Sequence, residues 1–267
     1  MSALSDYLEQ GILRNIFRTT AIPTLGANNT YGLFTVTPAD SGGGTEATGT
    51  GYTRVSLSRS VAGNFDAPAS GATQNAVAID FGTAGGAWGT VNSFGMFDGS
   101  TNLLLWGAIS PSKTIALNDP VSWAIGDFDV ALTGTFSSYL RDIILNWMFR
   151  NGSWPTFNAN VLISLHTGDP GLTGTSEVAG GNYARASVAR GTGTFTDPTT
   201  AGLTDNVNQI NFNTPTGANW GSISYAGVWD GAGTNFLFKA ALGATKTVND
   251  GDQAPYIAAG DLDITLA

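Results

Sequence analysis

The chain has 267 residues and a net charge of −9; only 12% of its residues are charged while 42% are hydrophobic. That balance supports a folded core, and the absence of cysteine with a single histidine removes disulfide scaffolds, thiol nucleophiles, zinc fingers and multi-histidine metal centres. The acidic surplus argues against nucleic-acid or anionic-lipid partners, and no apolar run approaches the ~18–20 residues that cross a bilayer.

Glycine accounts for 36 residues, roughly double the ~7% of average usage, which with many Thr, Ser and Asn is the composition of a turn-rich β-protein. The opening Met1–Asp6 lacks the charged and apolar regions of a signal peptide, so synthesis in the cytoplasm is expected. Tyr7, Leu8, Ile12, Leu13, Ile16 and Phe17 then recur at helical spacing as one apolar stripe. Ser5 is placed to cap this helix, Asp6 and Glu9 suit its first turn, and Arg14 and Arg18 suit its last. Short runs broken by Gly, Pro, Asn and Asp follow and read as strands. They are Tyr31–Thr35, Thr53–Ser58, Asn75–Phe81, Thr90–Phe97, Asn102–Ile109, Lys113–Leu117, Pro120–Ile125 and Phe128–Leu132. A second helix is expected from Ser138 to Arg150; adding Ile143, Trp147 and Met148, it is apolar on more sides and should be buried on more than one.

The second half repeats the first. Tyr7-Leu8, Ile12-Leu13 and Phe17-Arg18 return as Tyr139-Leu140, Ile144-Leu145 and Phe149-Arg150. Glu46, Tyr52 and Arg54 return as Glu177, Tyr183 and Arg185; Asn75, Ile79 and Phe81 return as Asn206, Ile210 and Phe212. Trp88-Gly89 and Asp98-Gly99 return as Trp220-Gly221 and Asp230-Gly231, and Gly126-Asp127 with Asp129 returns as Gly260-Asp261 with Asp263. The offset stays close to 132, so the reading is a tandem duplication with repeats at 1–133 and 134–267. The fold class expected is mainly β: two tandem antiparallel β-sandwich units, each preceded by one amphipathic α-helix.

Candidate chemistry is sparse. His166, in Leu165-His166-Thr167-Gly168-Asp169-Pro170, is the one imidazole available as a base in a Ser/His/Asp arrangement, but Phe34 holds its place in the first repeat, which favours a packing position. Asp98, Ser100 and Asn102 alternate faintly like a calcium loop, although a hairpin turn accounts for them better. Asp127 with Asp129, and Asp261 with Asp263, fall on one face of a strand; they read as a paired-carboxylate or cation site, or as a solvated face. Glu46 with Arg54 and Glu177 with Arg185 suggest ion pairs that set the geometry of a glycine-rich loop, worth ~0–1 kcal/mol each if partly exposed. The Gly42–Gly44 and Gly180-Gly181 stretches lack the strand–helix context of a phosphate loop. Trp88, Trp106, Trp123 and Trp220 are either core residues or platforms for sugar rings. No catalytic, cofactor-binding or metal-binding set is assigned, and no cofactor is expected.

The combined pattern carries a resemblance. A helix ending Phe-Arg, Leu-His-Thr-Gly-Asp-Pro, Gly-x-Tyr-x-Arg, Asn-x-x-x-Ile-x-Phe, Trp-Gly, Leu-Leu-x-Trp-Gly-Ala and Gly-Asp-x-Asp-x-x-Leu follow in order. In this combination the chain resembles a family of small tailed-bacteriophage virion proteins of the tail-fibre or minor structural type, over Ser5–Leu132 and again Ser138–Leu266. The resemblance implies a non-enzymatic virion component, most simply a tail, baseplate or fibre-attachment protein. Its partners would be other virion proteins and copies of itself in a homo-oligomer. A capsid decoration (cement) protein and a carbohydrate-binding adhesin module engaging a host-surface glycan are the alternatives.

Overall fold

A computed structural model describes residues 2–99, 101–199 and 202–266. The first repeat runs β1 (Ser2–Leu4), α1 (Asp6–Arg18), β2 (Asn28–Val36), β3 (Thr45–Glu46), β4 (Val55–Ser58), β5 (Ala72–Gln74), β6 (Ile79–Thr83), β7 (Gly89–Phe97), β8 (Leu103–Ile115), β9 (Pro120–Trp123) and β10 (Asp129–Ala131). The second runs α2 (Ser138–Arg150), β11 (Asn160–His166), β12 (Ala186–Ala189), β13 (Leu203–Thr204), β14 (Ile210–Asn211), β15 (Gly221–Trp229), β16 (Phe236–Val248), β17 (Tyr256–Ile257) and β18 (Ile264–Thr265).

Each repeat builds one principal antiparallel sheet and two short ribbons. In the first, the sheet is ordered β1-β8-β7-β2-β3, with β4 also on β2, and the ribbons are β5/β10 and β6/β9. In the second, the order β12-β11-β15-β16 is joined by ribbons β13/β18 and β14/β17. The strands β1 and β3 shrink there to single bridges, Phe136–Phe238 and His166–Glu177. Burial along the 13 residues of β8 is identical to that along the 13 of β16. The mainly-β, duplicated architecture is as the sequence suggests.

Most expected runs are found with ends shifted by a few residues, β3 and β5 are additional, and two runs differ more, for local reasons. Of the run Asn75–Phe81 only Ile79–Phe81 is strand, in β6, while β5 ends at Gln74, because Asn75 turns inward: its Nδ2 donates to Val77 O at 2.8 Å and Ala124 O at 2.7 Å. The runs Asn102–Ile109 and Lys113–Leu117 fuse into β8. Pro111 reads as a breaker, but residues 109–112 leave the ladder between Ala108, opposite Ser93, and Lys113, opposite Val91. A bulge needs no N–H from proline.

The chain forms two compact units, each discontinuous in sequence. One comprises Met1–Glu9, Pro23–Leu132 and Asp142–Trp154; the other comprises Gln10–Ile22, Thr133–Arg141 and Pro155–Ala267. The β-strands part between Leu132 and Thr133, whereas each helix is divided between the two units. The C-terminal part of α1 completes the second unit and that of α2 completes the first. In the first unit, an aromatic core joins sheet to ribbon: Phe128 meets Tyr31 at 5.4 Å and Phe94 at 4.9 Å, while Phe149 of α2 lies 4.5 Å from Phe65. In the second, Phe17 of α1 lies 4.9 Å from Phe195 and 5.6 Å from Phe238. Ser5 caps α1 through the Leu8 N–H at 3.3 Å, and Ser137 caps α2 through the Leu140 N–H at 3.1 Å. Along α2, Leu140, Ile144, Leu145, Trp147, Met148 and Phe149 are all buried.

Candidate functional site

The loop ion pairs are real and occur twice. Arg54 grips Glu46 with Nε–Oε1 at 2.9 Å and Nη2–Oε2 at 2.8 Å, Tyr52 donates to Glu46 Oε1 at 2.8 Å, and the guanidinium lies 3.6 Å over the Phe97 ring. Arg185 repeats this on Glu177 at 2.8 Å, with Tyr183 donating at 3.1 Å and the Trp229 ring 3.6 Å below. The Leu33 and Leu165 N–H groups donate to Tyr52 and Tyr183 at 2.8 Å, tying each clamp to its sheet. Burial, before any other cause, pushes both phenol pKa values up. Planar bidentate pairing with ring stacking suits arginine and fixes the loop geometry.

His166 is fully buried, between sheet and loop. Its Nδ1 lies 2.7 Å from Thr175 O and its Nε2 2.7 Å from Ser164 Oγ, while the Trp229 indole N–H donates to Ser164 Oγ at 2.9 Å. A carbonyl only accepts, so Nδ1 carries the proton, Nε2 accepts from the Ser164 hydroxyl, and that hydroxyl accepts from Trp229. Every group is satisfied by a neutral imidazole. Burial first, and Arg185 secondarily, push its pKa below the usual range, against the opposing pull of Thr175 O and Glu177. The third partner is a main-chain carbonyl, and Ser164 is as buried as His166. The Ser–His pair is spent on packing.

The paired carboxylates are not set by strand alternation: Asp127 lies in the turn before β10, where it accepts the Ala124 N–H at 3.0 Å, and Asp261 and Asp263 precede β18. Asp127 and Asp129 are exposed on either side of buried Phe128, as Asp261 and Asp263 are around buried Leu262. The structure adds a shared hollow. Asp127 and Asp129 edge one of about 370 Å³ with Phe94, Ser110 and Trp123; Asp261 and Asp263 edge one of about 490 Å³ with Leu242, Lys246 and Tyr256. Sequence reasoning missed Asp205, which meets Asp263 one step beyond the Thr204–Ile264 pair of β13 and β18. Burial, and then a hydrogen bond and repulsion from Asp263, raise the Asp205 pKa. Among the described residues no group of three or more His, Cys, Asp or Glu is arranged to hold a metal ion.

The remaining candidates take structural places. Asp98 accepts from Asn102 Nδ2 at 2.6 Å, and Asp230 accepts from the Thr234 N–H at 2.9 Å and from Asn235 Nδ2 at 2.5 Å, which is hairpin geometry; Ser100 lies outside the described residues. Trp88 and Trp220 are buried and donate to Thr50 O at 3.0 Å and Gly181 O at 2.7 Å, closing the glycine loops. Trp106 and Trp123 are half-buried, and Trp106 donates to Asp40 at 2.8 Å.

Two further arginines escaped the sequence reading. Arg59 donates to the carbonyls of Trp147 and Met148 near the end of α2, with Met148 O at 2.9 Å, and Arg190 does the same for Asn15 and Ile16 of α1, with Ile16 O at 2.6 Å. Their spacing matches the repeat offset, a signal present in the chain.

A family model described as "Podophage GP4 fiber I protein gp80" matches residues 3–131 and again residues 135–265. The chain belongs to this phage fibre family. The two matches cover nearly all of it, so the duplication is a duplication of the family unit, and the chain is a structural component of a bacteriophage. Among curated proteins no significant match is found. No described helix is long and apolar enough to cross a membrane.

Proposed function

We propose that this fibre protein is a non-enzymatic tail-fibre or fibre-attachment part of the virion, whose two units dock on neighbouring virion proteins. The observation carrying this reading is the double family match, reinforced by the use of the sole histidine as a satisfied core residue. Immunogold labelling or cryo-electron microscopy of intact particles tests it: signal at the tail is expected. Signal on the head shell would instead mean a decoration protein. Robust glycan or peptide hydrolysis lost in His166→Ala would overturn the non-enzymatic part.

A second reading, binding of a surface sugar, is favoured by the repeated hollow, where Trp123 or the exposed Tyr256 stands beside two carboxylates. An aromatic face with flanking acceptors suits a pyranose ring. Glycan-array binding that disappears in Tyr256→Ala is the supporting outcome.

A further inference from the structure

The ends of the two helices are recognised by the same chemistry. A helix leaves its last carbonyls without intrahelical partners and favours a cation there. In the second unit Arg190 takes the Asn15 and Ile16 carbonyls, and the Gly191 N–H donates to Phe17 O at 2.8 Å. In the first, Arg59 takes those of Trp147 and Met148, and Asn29 Nδ2 adds a bond to Met148 O at 2.8 Å. The last apolar residue is a fully buried phenylalanine in both, Phe17 against Phe195 and Phe149 against Phe65. The final arginine then reaches back: Arg18 donates to Phe195 O at 2.6 Å, and Arg150 to Phe65 O and Ala62 O.

Donor and acceptor are thus matched pairs, and the pairing is crossed. Each helix starts on the unit of its own repeat, where Ser5 N–H donates to Leu104 O at 3.0 Å and Ser137 N–H to Leu237 O at 2.8 Å. Thirteen residues later, about 20 Å along the axis, each ends in the unit built by the other repeat's strands. None of these bonds is made by the exposed seam residues Thr133 and Gly134.

We propose that each β-unit carries an acceptor site for the Phe-Arg helix end of another repeat. The partner it fits is a second copy of the repeat, and the covalent seam only raises the local concentration of that partner. This inference rests on the helix exchange and is independent of the fibre-attachment reading.

The test is a full-length protein carrying a protease site inserted between Thr133 and Gly134, folded and then cut. The halves are expected to co-elute in native gel filtration at micromolar concentration, separate in urea, and recombine when refolded together. The Gly191 amide, bonded to Phe17 O, is expected to keep its hydrogen-exchange protection after cutting. Arg59→Ala with Arg190→Ala should loosen the cut pair by about tenfold or more, since each guanidinium makes several charge-assisted bonds. Should that double variant not fold, the Gly191 amide in the cut wild-type protein decides alone. Halves that separate or unfold on cutting, loss of Gly191 protection, or a folded double variant that holds as tightly as the wild type would each overturn the proposal.

Discussion

The two units differ most tellingly at one corner of the principal sheet. Where the second has Ser164, His166 and Trp229, the first has Gly32, Phe34 and Phe97. In the first, the Phe34 and Phe97 rings stack 6.2 Å apart and pack on Leu103. In the second, an unbroken chain of donors and acceptors runs from the Trp229 indole through Ser164 and His166 to Thr175 O. All three residues change together because a partial exchange strands a buried polar atom. Replacing both partners by apolar groups is tolerated, whereas removing one exposes the full desolvation cost of the other. Above this corner, both units keep the same arginine stacked 3.6 Å over the aromatic ring.

The largest expected effect separates the units by their borrowed helices. Phe17→Ala should cost about 3–5 kcal/mol and loosen the amides of the second unit, and Phe149→Ala those of the first, read by hydrogen exchange in the intact chain. Loosening of the unit encoded beside each helix would contradict the crossed assignment. Next, His166→Phe alone should cost about 1–3 kcal/mol in thermal unfolding, because the Ser164 hydroxyl loses its acceptor. The combined Ser164→Gly, His166→Phe, Trp229→Phe variant should lose less than the sum of its singles, as expected of contacting residues. Additive losses would mean that the three positions are independent.

The units should also answer pH in opposite directions at two positions. The folded imidazole of His166 sits below the ordinary 6.5, so the unfolded chain takes up a proton first, and the second unit loses stability as pH falls below 6.5. His166→Phe should flatten that slope relative to the wild type. In the first unit Glu9 is pushed up from 4.5 to about 7, by burial first and then by Asp40 and Asp6. Its proton is held in the folded state after the unfolded chain has released it, so this contribution is complete below pH 4.5 and lost as pH rises toward 7. Glu9→Gln should remove that loss, and an unchanged pH profile would show that Glu9 titrates normally. The smallest effect is expected at the loop clamps, which are partly exposed: Arg54→Lys should cost about 0–1 kcal/mol, with calorimetry distinguishing it from the His166 corner.

Much of this was legible in order along the chain. The offset near 132 exposed the duplication, the stripe from Leu8 to Phe17 exposed α1, and Glu46, Tyr52 and Arg54 announced a clamp that the structure closes to within 2.9 Å. The candidate site was legible only in part. Alternation does not explain Asp127, which sits in the turn before β10, and the hollow beside it and Asp129 depends on the bulge in β8, which Pro111 disguised as two strands. The partner of Asp263 stayed hidden because Asp205 reaches it only through the pairing of β13 with β18. Likewise Trp229 stands 65 residues from Ser164, and no local pattern joins them.

The sequence by itself determined that there are two copies, that a helix precedes most strands of each, and that the stripe from Leu8 to Phe17 leaves water, although Tyr7, read as part of that stripe, stays exposed. Tertiary structure decided which β-unit receives each helix end, because an apolar stripe ending in Phe-Arg specifies burial and not an address. Arg59 and Arg190 bind the two helix ends through the same kind of main-chain bonds, so the local chemistry of the helix end does not choose between them.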